Sequence, residues 1–598
     1  MLACRWAIEH GAGNRHVPRR TPRSLSRETR SLLHSCLSRR DLMRGAAFAG
    51  GGAALLSHLP AWAQPVSAGM APLPTVSGED ITLKIARQSL KVDGRPSRAI
   101  GINGTVPGPL IRLREGQPVR LHVQNALDED SSIHWHGLLL PAQFDGVPGV
   151  SFPGIPAHST FTYEFPIRQA GTYWYHSHSG FQEQLGLYGP IVIDPADADP
   201  VAFDREHVVV LSDHSRMAPE TILRKLKQQP GYFNYHRQTL AGLLAGRGQS
   251  LAERLEWGAM RMDPTDIADV TGAVYTFLVN GHGPGDNWTA LFTPGERVRL
   301  RVINASAMTT FNVRIPGLPL TIVQADGNNV RPIEVDEFQI GVAETYDVIV
   351  TPPDDRAYAL IGESIDRSGL ARATLAPRAG MAAPVPPLRT PPVATMRDMG
   401  MDMSGMDHAG HDMSMGMRDF ANAAQVERNP GVQTISPMPV DRTGEPGQGL
   451  EDVGHRVLVY RDLVALDRNP DPRAPARSVD VHLTGNMERF MWSFDGVKMS
   501  DKMEPLPFFH NERVRVNLIN DTMMGHPIHL HGHFFELVTG HGDHAPRKHT
   551  VIVQPGGKVS FDLTADALGD WAFHCHLLYH MEAGMMRVVS VRAREGQA

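Results

Sequence analysis

Cysteine is almost absent from this 598-residue chain: Cys4, Cys36 and Cys575 are the whole supply. The first two sit in a stretch that reads as a removable leader, so the mature chain keeps one thiol and cannot form an internal disulfide. Exported proteins ordinarily use paired cysteines as staples, and a lone thiol in such a chain is expected to serve another purpose. A strong charge of either sign is missing too: the formal net charge of −6 gives no reason to expect nucleic acid or an anionic membrane as partner. Long apolar runs are also lacking. The run from Gly45 to Leu59 is too short and glycine-rich to span comfortably, so no membrane span is expected in the mature chain.

Acidic residues are scarce up to Arg44, where arginine is abundant. Ser38-Arg39-Arg40-Asp41-Leu42-Met43 precedes the weakly apolar run, and Ala61-Trp62-Ala63 supplies small residues before Gln64. Residues 1–63 therefore read as a twin-arginine export signal, with the periplasm as destination. The rest is ordinary globular composition, 41% hydrophobic and 20% charged, and long enough for three or four domains.

Three segments repeat one another. Gly116-Gln117-Pro118-Val119-Arg120-Leu121-His122-Val123-Gln124-Asn125 is matched by Gly295 to Asn304 and by Asn511 to Asn520, each a turn followed by an alternating strand. Eighteen residues on from Gly116 stands His134, and eighteen on from Asn511 stands His529; each opens a His-x-His-Gly. The same count from Gly295 reaches Val313, with Ile315 two further on, so the middle copy keeps the strand without the imidazoles. Gly171 to His178 likewise aligns with Gly569 to His576, serine standing where the last copy has cysteine. The layout is all-β: one unit over 75–195, a second over 200–375 and a third over 451–598, each a sandwich or barrel. A helical insertion interrupts the second at about 215–262, and a Pro/Met-rich linker at 380–450 precedes the third. Its Met396 to Met417 stretch, interleaved with Gly, Asp and Ser, cannot build a core and is expected to be loosely ordered.

The chemistry concentrates at His574-Cys575-His576, followed by His580 and Met585. On a strand, Cys575 faces one way while its neighbours face the other, so one metal cannot take all three. In His526-Pro527-Ile528-His529-Leu530-His531, His529 and His531 share a face and His526 can take the opposite one. Parity thus gives a trigonal site of His526, Cys575 and His580 with Met585 as a long axial ligand, the donor set of a blue-copper centre. Eight histidines remain in His-x-His pairs from the outer units: His134, His136, His176, His178, His529, His531, His574 and His576. They suffice for a three-metal cluster, joined to the thiolate through the backbone. His533, His541, His544 and His549 have no place in this scheme and are expected at the surface.

These four clusters resemble the copper motifs of the multicopper oxidases, a family of three cupredoxin domains of Greek-key type. The leader, the methionine-rich segment and Gly485-Asn486-Met487-Glu488-Arg489-Phe490-Met491-Trp492-Ser493-Phe494-Asp495-Gly496 are similar to its bacterial periplasmic copper-resistance subfamily. The resemblance implies four copper ions: type 1 on His526, Cys575, His580 and Met585; type 2 on His134 and His529; and a type 3 pair on His136, His176, His178, His531, His574 and His576. It implies one-electron oxidation of a donor at the type 1 site, passage through Cys575, and reduction of O2 to water at the cluster. Asp145, nine residues after His136, is expected to relay protons; its bland alternative is a turn residue before Gly146. Many relatives carry an acid directly after the second type 1 histidine, where this chain has Met581 and then Glu582.

Cu(I) is the expected donor, because Met487, Met491, Met499, Met503, Met523 and Met524 precede His526, although about half should be core gap-fillers. Met399, Met401, Met403, Met406, His408, His411, Met413, Met415 and Met417 are expected to collect further labile Cu(I), since thioethers prefer the soft ion. A periplasmic copper-donor protein is a further candidate partner. The competing readings are a laccase-like phenol oxidase and a non-catalytic copper-sequestering protein.

Overall fold

The computed structural model describes residues 72–401, 418–501 and 503–594. The leader and Met403, Met406, His408, His411, Met413, Met415 and Met417 lie outside the described residues. Six sheets form three sandwiches. In the first, Asp80–Val92, Arg95–Ile102, Pro118–Asn125 and Thr160–Pro166 face a sheet holding His134–His136, Gly171–His176 and Tyr188–Asp194. The middle one pairs a six-stranded sheet around Val298–Asn304 with a five-stranded sheet around Phe311–Arg314 and Tyr358–Ser364. The last pairs a seven-stranded sheet around Arg513–Asn520 with a five-stranded sheet holding His526–Leu530, Thr550–Val553 and Gly569–Cys575.

The three repeats occupy equivalent places. Pro118–Asn125 runs parallel to Asp80–Val92, Val298–Asn304 to Arg205–Ser215, and Arg513–Asn520 to Arg477–Asn486. Each repeat ends in a buried asparagine, and the three do the same work. Asn125, Asn304 and Asn520 each accept at Oδ1 from the amide two residues on. Through Nδ2 each donates to main-chain carbonyls of the loop beyond, Asn520 to Met524 at 2.7 Å and Asn304 to Thr309 at 2.8 Å. The loop that delivers a ligand strand is therefore shaped by backbone hydrogen bonding, which is why the middle copy keeps it after losing both histidines.

Burial separates scaffold strands from ligand strands. Asp80–Val92 alternates, with Ile81, Leu83 and Ile85 inward and Thr82 and Lys84 outward, as a half-solvated sheet should. Gly171–His176 and His526–Leu530 are buried at every residue. One face of each such strand enters its own core: Trp135, between two histidines, packs on Tyr163 at 5.1 Å between ring centroids. The other face carries the paired histidines.

Helices Pro219–Gln228, Leu240–Leu244 and Leu251–Ala259 make up the insertion. Ser250 and Glu253 form a reciprocal cap at the start of the last of these. Among the described residues no helix is long and apolar enough to cross a membrane.

The linker departs from expectation. Met399 and Met401 are only 2% and 8% exposed and pack in the main core, so they do not stand open to incoming ions. The cause is docking against the third sandwich: Thr395 and Asp398 cap a short turn, and Arg442 ties Asp398 to the carbonyl of Pro555. Beyond the methionine segment, Val426, Val432 and Ile435 form a small core of their own.

Candidate metal centre

The imidazoles of the first and third sandwiches converge. His134 stacks on His531 and His136 on His529, each with ring centroids 3.8 Å apart. Three groups of nitrogens assemble, the ligand atoms within each lying no more than 4.8 Å apart: His134, His136 and His529; His136, His176 and His576; His178, His531 and His574. A fourth group is His526, Cys575 and His580. There the thiol sulfur is 3.5 Å from His526 Nδ1 and 3.9 Å from His580 Nδ1, and the two nitrogens are 3.2 Å apart. Met585 is fully buried, and its carbonyl accepts from the Cys575 amide. Register explains the separation of sites: Cys575 pairs with Ile528 while His574 pairs with His529.

Hydrogen bonds to the far nitrogen choose which atom of each ring faces inward. His134, His529 and His574 donate through Nδ1 to the carbonyls of Asp145, His549 and Cys575 at 2.7, 2.7 and 2.9 Å. His531 Nδ1 lies 2.9 Å from Asp145 Oδ2. An occupied Nδ1 leaves Nε2 as the free lone pair. The thiolate site uses the opposite choice: His526 Nε2 lies 2.8 Å from Thr522 Oγ1, and His580 Nε2 lies 2.6 Å from Asp269 Oδ2.

These pockets suit a cation. Nε2 of His134, His176, His178, His529 and His576, and Nδ1 of His136, are buried without a protein partner, a costly arrangement unless something else takes the lone pairs. Burial, followed by repulsion from neighbouring imidazoles, pushes His136, His176, His178, His529, His531 and His576 well below the ordinary histidine pKa. The rings are therefore neutral donors. Burial raises the Cys575 thiol far above its usual value, so a metal must displace its proton to make the thiolate. Nitrogen with one soft sulfur suits copper.

Copper-free protein should lose stability in acid. Burial holds His574 and His549 at about 4, against about 6.5 in the unfolded chain. Their depressed values contribute stability that is fully present above pH 6.5 and is lost as pH falls through the folded value. Each should cost about 3 kcal/mol by pH 4. Thermal melts of the copper-free protein between pH 7 and 4 should show a falling Tm, and a flat profile would contradict this.

Sequence reasoning missed several residues. Asp269, just beyond the insertion, is buried, and burial pushes its carboxyl up to about 7. Trp492 stacks on His580 at 3.9 Å. Glu183 is 3% exposed, with an oxygen 2.7 Å from His176 Nδ1. None carries a motif of its own, although Trp492 lies in the segment that suggested the subfamily. Two of the histidines expected at the surface are buried, His533 at 3% and His549 at 1% exposure. His533 packs against Trp571 and His549 against His136, with ring centroids 5.5 and 4.8 Å apart. His541 and His544 are half-buried and bond to the carbonyls of Arg461 and Ala465. Asp145 closes a short turn, as its bland alternative held, and Gly146 follows it at φ 85, where a Cβ would also meet the Ile133 carbonyl oxygen at 1.9 Å.

Family profiles described as multicopper oxidase match residues 84–198, 206–377 and 472–595. The chain belongs to the multicopper oxidase family. This oxidase is 47% identical to a copper resistance protein A homolog of Pseudomonas syringae pv. tomato, over 93% of its own length and 99% of that protein. It is also 47% identical to copper resistance protein A of Escherichia coli, over 86% and 93% of the two chains. Its fold matches the solved structure of Fet3p, a multicopper oxidase that functions in iron import, with TM-score 0.61 and 18% identity over 86% and 90% of the chains. The three-sandwich architecture is thus the cupredoxin-like one of the family.

Proposed function

We propose that this oxidase couples one-electron oxidation of Cu(I) to four-electron reduction of O2 to water, and so serves copper resistance in the periplasm after twin-arginine export. One observation carries the reading: His526, Cys575 and His580 form one group, while His574 and His576, on either side of the same cysteine, belong to two different three-imidazole groups. That arrangement suits type 1 copper on His526, Cys575, His580 and Met585, type 2 copper on His134 and His529, and a type 3 pair on the other six histidines. Copper, when bound, supplies one-electron acceptance at the thiolate site and dioxygen reduction at the cluster.

The chain's own contribution is placement. Cys575 and its neighbours form a covalent bridge between the two sites. Asp269 holds His580 by its outer nitrogen and Trp492 covers its face, so the imidazole is fully buried behind two groups that are buried themselves. Asp145 orients His531 and His134, and its buried carboxylate is suited to pass protons to the cluster. Of the six methionines expected near the donor side, Met487, Met523 and Met524 are buried, Met491 and Met503 are half-buried and Met499 is exposed. The last three remain candidates for handling Cu(I), together with the segment 402–417 and a copper-donor protein.

Oxygen uptake and copper content measured on the same preparation test the proposal. Four coppers per chain and a higher kcat/KM for Cu(I) than for a dimethoxyphenol are expected. A much better phenol substrate, unaffected by deleting residues 402–417, would make the protein laccase-like. Full copper without oxygen uptake would make it a sequestering protein.

A further inference from the structure

The middle sandwich lacks imidazoles at the ligand positions, yet one of its turns reaches the two sandwiches that have them. The hairpin of Leu320–Ala325 and Asn328–Val335 closes through Asp326 and Gly327, both left-handed at φ 45 and 74. On one side the fit leaves no space. A Cβ on Gly327 would lie 2.2 Å from the Tyr173 ring, and one on Gly171 would lie 2.4 Å from the Gly327 carbonyl oxygen. Gly171 and Tyr173 belong to the strand that ends in His176.

On the other side Asp326 grips the third sandwich. Its Oδ2 accepts from the amides of His549 and Thr550 at 3.2 and 3.1 Å. Its Oδ1 accepts from the Thr345 amide and lies 3.1 Å from Lys548 Nζ. Lys548 is fully buried, and its ammonium is shared with Glu344 at 3.1 Å. Burial opposes that charge, but the two carboxylates prevail and hold the lysine pKa above its ordinary value. Tyr460 completes the group by donating to Glu344 at 2.7 Å.

The gripped residues run straight into the cluster. The His549 carbonyl receives His529 Nδ1–H, and Thr550 Oγ1 lies 3.3 Å from His136 Nε2 and 3.2 Å from His529 Nδ1. We propose that the Asp326–Gly327 turn is a positioning device for copper: it sets the spacing of the first and third sandwiches and, through Thr550, the orientation of His136 and His529. The middle sandwich then contributes to the metal site without supplying a ligand. This rests on the reading of the histidine cluster as a copper site.

Asp326→Asn and Thr550→Val test the inference, each loaded with copper and compared with the unaltered protein for copper per chain, electron paramagnetic resonance and blue absorption. The thiolate site does not touch the turn, so blue absorption should persist. The non-blue resonance should be lost or altered, with cluster copper held about 10 to 100-fold more weakly, the usual effect of removing a partner behind a ligand. Asp326→Asn leaves a buried ammonium short of one carboxylate; if it fails to fold, Thr550→Val, which strands no charge, decides the matter. Full copper with an unchanged resonance in a folded variant would overturn the inference, even if its Tm were lower. Absence of cluster copper from the unaltered protein would overturn the reading of the cluster instead.

Discussion

Cys575→Ser should leave a colourless protein that takes up no oxygen with any donor, yet still holds copper at the histidine cluster. The thiol is fully buried between two imidazole nitrogens held by Thr522 and Asp269. A serine hydroxyl there is a hard, weakly acidic donor in place of a soft thiolate, and it lacks the sulfur through which an electron would pass. The cluster ligands on either side keep their own hydrogen bonds, so His574 and His576 should still hold metal. Absorption spectra, oxygen-electrode rates and copper content make the check. Retained turnover would mean that electrons reach the cluster by another route, and retained blue absorption that the chromophore is not this thiolate.

Asp145→Ala should lower the rate of oxygen reduction by about 10 to 100-fold, the usual cost of removing a group that orients metal ligands. One of its oxygens lies 2.9 Å from His531 Nδ1, and its carbonyl receives His134 Nδ1–H. The side-chain contact is lost on truncation while the carbonyl contact survives. Asp145→Asn separates orientation from proton handling: it can keep a contact to His531 but cannot exchange a proton as a carboxylate does. Full copper with a slow rate would favour the relay. A full rate in Asp145→Asn would dismiss it and leave Asp145 as an orienting residue.

The convergence of the paired histidines, and of His526, Cys575 and His580, was legible in the sequence because strand parity and repeat spacing act locally. One residue in two faces the same way, and eighteen residues separate the turn from the first histidine in both outer copies. What lies behind the ligands was not legible. Asp269 reaches His580 across 311 positions, and Asp326 reaches Thr550 across 224. Such contacts depend on how the sandwiches dock, which no local pattern encodes. His549 illustrates the limit: as an unpaired histidine in a polar stretch it resembles a surface residue, yet His136 and Tyr173 of the first sandwich and Asp326 of the middle one close over it. The methionines divide for the same reason, since a thioether serves equally well as packing or as ligand.

The three terminal asparagines carry a further implication. A loop pinned by amide side chains adopts its course whether or not an ion is present, and the middle copy, with Val313 and Ile315 at the ligand positions, is a standing example. Vacating the metal sites should therefore leave the sandwiches folded, with the receiving rings already in place. Loading becomes a matter of admitting ions to a finished receptacle, so a chain that reaches its compartment empty could still be filled there.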